Sequence, residues 1–202
     1  MSIRPIKLQS GATPTMEGAG VHLHRVFGFG DTDMFDPFLM MDDFRNDDPE
    51  QYLKGFPWHP HRGIETITYV LKGNVEHADS LGNKGVLSDG DVQWMTAGSG
   101  IIHQEMPTGN VAGQMHGFQL WANLPRDQKM CTPRYQDVKS ADIASLTDDD
   151  GTNIRVIAGD YRGYRGPVDG IDTDPIYLDI AMPANSTRRF PCLLYTSDAA
   201  DE

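Results

Sequence analysis

The amino-acid sequence predicts an all-β protein, folded as a β-sandwich or a β-barrel. Short runs rich in β-branched and aromatic residues follow one another closely, as in Glu-Thr-Ile-Thr-Tyr-Val-Leu at 65–71, and such runs are typical of strands. Turn-forming residues separate these runs, and a helix is plausible only near 140–145. Closely spaced strands with hardly any amphipathic helix indicate a sandwich or a barrel.

Glycine-containing turns divide the middle of the chain into successive strands. Each turn combines glycine with Asn, Asp or Ser, and the turns lie at 72–74, 81–84, 88–91 and 97–100. The predicted strands are 65–71, 75–78, 92–96, 101–106, 117–124, 153–157 and 176–182. No solenoid-like repeat is present, and strand-rich segments on both sides of about residue 125 leave room for two similar domains.

Size and charge limit the classes of function. With 202 residues, the chain can hold two small domains and bury an ample core. Its 17 Lys and Arg residues against 29 Asp and Glu residues give a net charge of −12. Such a field repels a phosphate backbone, so we do not expect direct nucleic-acid binding. No glycine-rich phosphate loop follows a predicted strand, so a nucleotide-dependent reaction has no support.

Cysteine usage and the N-terminal sequence favour a cytoplasmic protein. The two cysteines, Cys131 and Cys192, are too few for a disulfide framework. Residues 1–7 contain neither an apolar stretch nor a small-residue cleavage site, and no run approaches the length of a membrane span. We therefore expect the protein in a reducing cytoplasm, with no membrane partner.

Two short residue pairs carry most of the functional information, His59-Pro60-His61 and His103-Gln104-Glu105. Successive side chains of a strand point to opposite faces, so both members of each pair lie on one face. Three imidazoles and one carboxylate from neighbouring strands suit a divalent transition metal such as Fe(II), Mn, Ni, Co or Cu better than a structural zinc. The set leaves coordination positions free for a substrate or dioxygen.

Other residues near these pairs have simpler explanations. The pair His22-Leu23-His24 has the same spacing but no second pair downstream, so we expect no ligand there. His116 could approach the site, although a surface histidine is the alternative. Several aromatic and sulfur residues could wall a pocket for a flat aromatic substrate, but core packing is favoured. They are Phe56, Trp58, Trp94, Met95 and Met106.

Several separated blocks resemble the cupin superfamily and, more narrowly, the pirin family. The segment from Gly55 to Gly73, with the His-Pro-His-Arg-Gly block, is similar to the first cupin motif, and the segment from Gly90 to His103 is similar to the second. The narrower likeness lies in Phe-Asp-Pro-Phe-Leu at 35–39, Gln-Trp-Met-Thr-Ala-Gly at 93–98, Ile-His-Gln-Glu-Met-Pro at 102–107 and Gly-Phe-Gln-Leu-Trp at 117–121. The resemblance runs from the N-terminus to about residue 191.

This resemblance implies a double-stranded β-helix (jelly-roll) barrel with one metal, usually iron, in the N-terminal cupin. On matching positions its ligands are His59, His61, His103 and Glu105. Glu65 lies at even spacing from His61, so in an unbroken strand it faces the same interior. The equivalent glutamate is a ligand in many cupins but not in pirins. We expect Glu65 to orient a ligand imidazole, with an ordinary buried acid as the alternative.

The resemblance also implies a division of the chain. We expect a complete N-terminal cupin at 1–124, a linker at 125–140 and the start of an incomplete second cupin at 141–191. Residues 192–202 read Cys-Leu-Leu-Tyr-Thr-Ser-Asp-Ala-Ala-Asp-Glu, which departs from the family and resembles a translated sequencing adapter. An open second barrel exposes strand edges, so we expect a less stable chain than a complete pirin.

Three classes of function are compatible with this metal site. The first is a dioxygenase resembling quercetinase, which opens a flavonol or related aromatic with dioxygen and uses Glu105 as ligand and proton acceptor. The second is an iron-binding regulator that acts through a protein partner, either as a transcriptional co-regulator or as a modulator of a metabolic enzyme. The third is another cupin metal enzyme, such as an isomerase. The sequence favours the dioxygenase, because open coordination positions are superfluous in a structural centre.

Overall fold

The structure, a computed structural model, describes residues 5–190. The predicted adapter-like tail at 192–202 lies outside the described residues. Helical structure within them is confined to α1 (Thr32–Phe35) and three 3-10 turns at Phe29–Asp31, Pro49–Gln51 and Ser140–Asp142. None of these helices has the length and apolarity needed to cross a membrane.

The remaining regular structure of the described residues is β-strand, which confirms the predicted all-β class. The strands are β1 (Thr13–Glu17), β2 (Val21–Phe27), β3 (Phe38–Asp43), β4 (Phe56–His61), β5 (Ile64–Lys72), β6 (Val75–Asp79), β7 (Lys84–Leu87), β8 (Val92–Thr96), β9 (Ile101–Pro107), β10 (His116–Asn123), β11 (Arg134–Val138), β12 (Ala144–Thr147), β13 (Asn153–Ala158), β14 (Asp160–Tyr161), β15 (Tyr164–Arg165) and β16 (Tyr177–Ala181).

Two antiparallel sheets form the barrel expected for a cupin. The larger sheet has the order β1-β2-β3-β10-β5-β8-β11, and the smaller has the order β4-β9-β6-β7. Residues of both sheets line one cavity between them. The non-consecutive strand order shows that the chain crosses repeatedly between the sheets, so residues distant in sequence meet inside the barrel.

Strand β5 lies at the centre of the molecule and is buried on both faces. Thr66, Thr68 and Val70 point into the barrel, and Thr68 lines the cavity. Ile67 and Tyr69 alternate with them, so they point out of the barrel into a second core. Burying a side chain of the size of Ile67 contributes about 2 kcal/mol. Burial of both faces explains why the β5 sequence is a continuous run of β-branched and aromatic residues.

The C-terminal part of the described chain covers the outer face of the large sheet. Its three-stranded sheet has the order β12-β13-β16. Arg155 on β13 donates a hydrogen bond from Nη1 to the Tyr69 hydroxyl at 2.7 Å, and this hydroxyl donates to Asp179 Oδ2 on β16 at 2.6 Å. The apolar residues shared by the two parts are Ile67, Tyr69, Val92, Trp94, Ala122, Val138, Ile143, Ile157, Ala158 and Val168.

Two predicted segments differ from the structure. The segment 125–140, predicted as a linker, contains β11, which pairs with β8 and forms the edge of the large sheet. The segment 140–145, where the sequence made a helix plausible, is a single 3-10 turn followed by β12. Ala144 and Ser145 are in β12, which pairs with β13. This strand pairing outweighs the weak helical preference of the segment. The proposed division of the chain into two cupins stays a prediction.

Candidate metal centre

Three imidazoles meet inside the barrel because β4 and β9 are antiparallel neighbours. His59 on β4 lies directly opposite His103 on β9, and His61 lies two residues further along the same face of β4. Their candidate ligand atoms all lie within 4.8 Å of one another. The ring centroids of His59 and His103 are 4.4 Å apart, and those of His61 and His103 are 5.0 Å apart. The alternation of side chains along β4 and β9 therefore brings these three imidazoles together.

Glu105 occupies the next inward position on β9. Its Oε2 atom lies 4.0 Å from His103 Nε2, and its Oε1 atom accepts a hydrogen bond from Thr68 Oγ1 at 2.8 Å. The carboxylate is buried, so it sits beside the three imidazoles rather than in bulk water. The structure places Glu105 beside the imidazoles. That Glu105 ligates a metal stays a prediction.

The hydrogen bonds of the imidazoles fit one metal ion at their centre. His103 is almost fully buried, and neither of its ring nitrogens has a hydrogen-bond partner among the described residues. Burying unpartnered polar atoms is costly, and a metal ion would accept the lone pair of one of them. His59 Nδ1 lies 2.8 Å from the carbonyl oxygen of Pro57. Nδ1 therefore carries the proton, which leaves the Nε2 lone pair available to a metal.

The environment favours the uncharged form of His61 and His103. Burial, followed by the neighbouring His103 and His59 rings, lowers the pKa of His61 to about 3. Burial also lowers the pKa of His103, against the opposing effect of the Glu105 carboxylate. Neutral imidazole is the form that ligates metals, so these two rings are available to a metal at neutral pH.

A cavity of about 470 Å³ is lined by two of the three imidazoles, His59 and His61. This volume lies in the range typical of small-molecule sites. The Trp121 ring stands edge-on to His61 with centroids 4.9 Å apart, and Phe29 lies 5.9 Å from Trp121. Most other wall residues are apolar or aromatic, including Val21, Leu23, Met40, Phe44, Tyr52, Phe56, Val75 and Met115.

Most of the predicted wall residues lie outside the cavity. Of the five, only Phe56 lines the cavity. Trp94 is buried in the core outside the barrel, and Met95 is buried in a separate cluster. Trp58 lies on the outer face of β4 and is 54% exposed. The packing interpretation is therefore the better one for Trp94 and Met95. Trp121 was missed as a wall residue, although it stands within a block that the family resemblance had already marked.

The expected place of Glu65 in the barrel interior is wrong. Gly63 has φ +70 and joins β4 in the small sheet to β5 in the large sheet, so alternation counted from His61 does not continue to Glu65. Glu65 lies on the opposite face of β5 from Thr68. There its Oε1 atom accepts a hydrogen bond from Thr96 Oγ1 at 2.7 Å, and burial raises the pKa of the carboxyl group. Its surroundings fit the alternative of an ordinary buried acid.

None of the other four histidines belongs to this group of three imidazoles. His22 and His24 are exposed on β2. His116 is half-buried at the start of β10, with its ring 5.7 Å from that of Phe118. His77 is buried on β6, and its Nε2 atom lies 3.7 Å from the Asp137 carboxylate.

Comparison with known proteins finds relatives along most of the chain. The family model described as pirin matches residues 20–122. A pirin-like protein of Caulobacter vibrioides is 46% identical over 192 residues, which cover 95% of this chain and 69% of that protein. A Pseudomonas aeruginosa protein provisionally named quercetin 2,3-dioxygenase is 48% identical over 175 residues, which cover 85% of this chain and 61% of that protein. The chain therefore spans only 61–69% of the length of these two relatives.

Solved structures show the same fold. The crystal structure of a quercetin 2,3-dioxygenase from Acinetobacter baumannii superposes with a TM-score of 0.67 at 35% identity, over 80% of this chain and 59% of that chain. The crystal structure of a protein from Geobacillus kaustophilus superposes with a TM-score of 0.70 at 36% identity, over 83% of this chain and 64% of that chain. With a family match over half of its residues and this shared cupin fold, the chain belongs to the pirin family.

Proposed function

We propose that this chain carries the metal centre of a quercetinase-type dioxygenase, which opens a flavonol or a related planar aromatic compound with dioxygen. The observation that carries this proposal is the convergence of three imidazoles, two of which line the wall of a largely apolar cavity. The names of the relatives from P. aeruginosa and A. baumannii support the same class of substrate.

His59, His61, His103 and Glu105 would hold one divalent metal ion in this proposal. Iron(II) is the first choice, with Mn, Ni, Co and Cu as alternatives, because imidazole and carboxylate donors suit all of them. When bound, such an ion supplies Lewis acidity toward a substrate hydroxyl and a redox centre for the reaction with dioxygen.

The side chains around this centre have distinct parts in the proposed reaction. Glu105 lies beside the imidazoles and accepts the proton of the substrate hydroxyl. Trp121 and Phe29 present ring faces and edges to a planar substrate and exclude water from the space next to His61. Arg25 lines the cavity, but its charge is paired with Asp42 and Glu17. The cavity wall therefore favours a largely apolar ligand.

Oxygen uptake by the anaerobically iron-loaded protein, measured across a panel of flavonols, tests this proposal. We expect uptake that depends on the flavonol and is lost in His61→Ala, whose iron content should fall by orders of magnitude. His24→Ala is the matched control, because that imidazole is exposed on β2. Full iron occupancy in His61→Ala would refute the ligand assignment.

The regulatory and isomerase hypotheses require the same metal site, so metal binding alone does not separate them from the dioxygenase. A protein that binds iron stoichiometrically yet consumes no oxygen with any flavonol would exclude the dioxygenase. The search would then turn to a protein partner or to another small-molecule substrate.

A further inference from the structure

A hydrogen-bond chain links the two sheets next to the metal centre. Thr68 Oγ1 lies 2.8 Å from Glu105 Oε1 and also 2.8 Å from Gln119 Oε1. Thr68 on β5 and Gln119 on β10 are direct neighbours in register, whereas Glu105 comes from β9 in the opposite sheet. The side chain of Thr68 is therefore the bridge between the sheets at this point.

The number of available protons determines which group donates in each of these two hydrogen bonds. A threonine hydroxyl has one proton, so it cannot donate to both oxygens. A carboxylate that ligates a metal is ionised and only accepts hydrogen bonds, so Thr68 donates to Glu105. Thr68 must then accept a hydrogen bond from Gln119, which requires the amide nitrogen of Gln119 to face the hydroxyl. The two ends of a glutamine amide are assigned from such networks, and this network assigns Nε2 to the Thr68 side.

This direction of donation determines which oxygen of Glu105 is free. Oε1 is occupied by the Thr68 hydroxyl, and Oε2 faces His103 Nε2 at 4.0 Å. Thr68 is buried and β-branched, so its hydroxyl has little freedom to leave this position. Gln119 lines the cavity, and its amide oxygen then points away from Thr68.

We propose that Thr68, anchored by Gln119, is the positioning residue of Glu105. It fixes the carboxylate so that Oε2 alone is presented to the metal ion. This inference rests on the metal site proposed above, and it adds two residues that no ligand motif in the sequence indicates. Thr68 acts through Glu105 and does not itself touch the metal ion.

Cobalt(II) binding to the chain as it exists tests this role without any assay of turnover. Thr68→Val keeps the shape of the side chain and removes its hydroxyl. We expect the Co(II) affinity to fall on the order of 10–100-fold, with a change in the visible spectrum of the bound ion, because the loss of a group that orients a ligand has effects of this size. Thr68→Ser retains the hydroxyl and should restore both the affinity and the spectrum.

A double-mutant cycle separates positioning from a general structural effect. In a Glu105→Gln background, Thr68→Val should cause little further loss of Co(II) affinity, because its effect passes through the carboxylate. If Thr68→Val proves too unstable to fold, Gln119→Leu removes the anchor instead and should change the same spectrum.

Three outcomes would overturn the inference. The first is a Co(II) affinity of Thr68→Val equal to that of the parent. The second is a loss of Co(II) affinity on Thr68→Val that is as large in the Glu105→Gln background as in the parent. The third is an unchanged affinity in Glu105→Gln, which would also remove Glu105 from the proposed ligand set. Absence of oxygen uptake with flavonols would refute the dioxygenase alone, since Co(II) binding does not depend on turnover.

Discussion

His61 is the ligand candidate whose charge state the barrel alters most clearly. Burial and two neighbouring rings lower its pKa to about 3, whereas an imidazole in an unfolded chain titrates near 6.5. The folded chain therefore resists protonation of His61 over a wide acidic range. This resistance keeps the ring available to a metal, and it also makes the stability of the metal-free chain depend on pH.

We expect the free energy of unfolding of the metal-free chain to fall as the pH is lowered from about 6.5 toward 3. In this range the unfolded chain binds a proton at His61 that the folded chain excludes, so stability decreases by up to about 1.4 kcal/mol per pH unit. Urea denaturation at several pH values measures this slope. His61→Gln should flatten it relative to the exposed control His24→Gln, and an unchanged slope would show that His61 is not the group responsible.

Changing Glu65 or Glu105 to glutamine should have different effects on metal binding. Glu105→Gln should weaken metal binding, whereas Glu65→Gln should leave it unchanged, because Glu65 lies on the other face of β5. Burial raises the pKa of Glu65, so its ionisation opposes folding as the pH rises above about 4.5. Glu65→Gln should therefore be at least as stable as the parent at pH 8 in thermal melts. Weaker metal binding in Glu65→Gln would restore it to the site.

At the level of the strand, alternation counted from the sequence is dependable within an element and fails where the chain changes sheets. It places His59 and His61 on one face of β4, and it misplaces Glu65 because the turn at Gly63 lies between them. Thr68 and Gln119 were not predicted, since they meet only through the register of β5 with β10. The register between strands and the closure of the barrel depend on residues far apart in the sequence, so a local sequence pattern does not determine them.

Strand β10 carries the aromatic side chain that we expect to govern ligand affinity. Trp121→Ala removes the ring that stands against His61 and should weaken the binding of a flavonol about tenfold or more, given the large contact area of an aromatic pair. Fluorescence titration without oxygen measures this affinity. Trp58→Ala is the matched control, since Trp58 is exposed on the outer face of β4. Equal losses in both variants would argue against a ligand beside Trp121.

For the molecule as a whole, the core outside the barrel matters as much as the core within it. Ile67 and Trp94 point out of the barrel and are completely buried, together with Ile157 of the C-terminal segment. The sequence predicted the strands on both sides of this contact, but not that β11 would extend the large sheet within the expected linker. The barrel therefore depends on residues after 124 for the burial of its own outer face.

Tyr69→Phe tests this dependence. The Tyr69 hydroxyl joins Arg155 Nη1 to Asp179 Oδ2. Its loss removes this bond from the Asp179 carboxylate, whereas Arg155 keeps the hydrogen bonds of Nη2 to Gly90 and Ser140. We expect a loss of about 1–3 kcal/mol in the free energy of unfolding, measured with urea. Tyr164→Phe removes an exposed hydroxyl and should be neutral within about 0.5 kcal/mol. A neutral Tyr69→Phe would show that apolar packing alone holds the C-terminal segment on the barrel.

The position of β4 has a kinetic consequence. This strand supplies two of the three imidazoles, yet within residues 5–190 it is the outermost strand of its sheet and pairs only with β9. An ion bound by His59, His61 and His103 would act as a cross-link between these two strands, so fraying of β4 would withdraw two of its three imidazole ligands. Hydrogen exchange of the β4 amides should therefore slow on metal loading more than that of β5, and the residence time of the ion should follow the rate at which this edge opens.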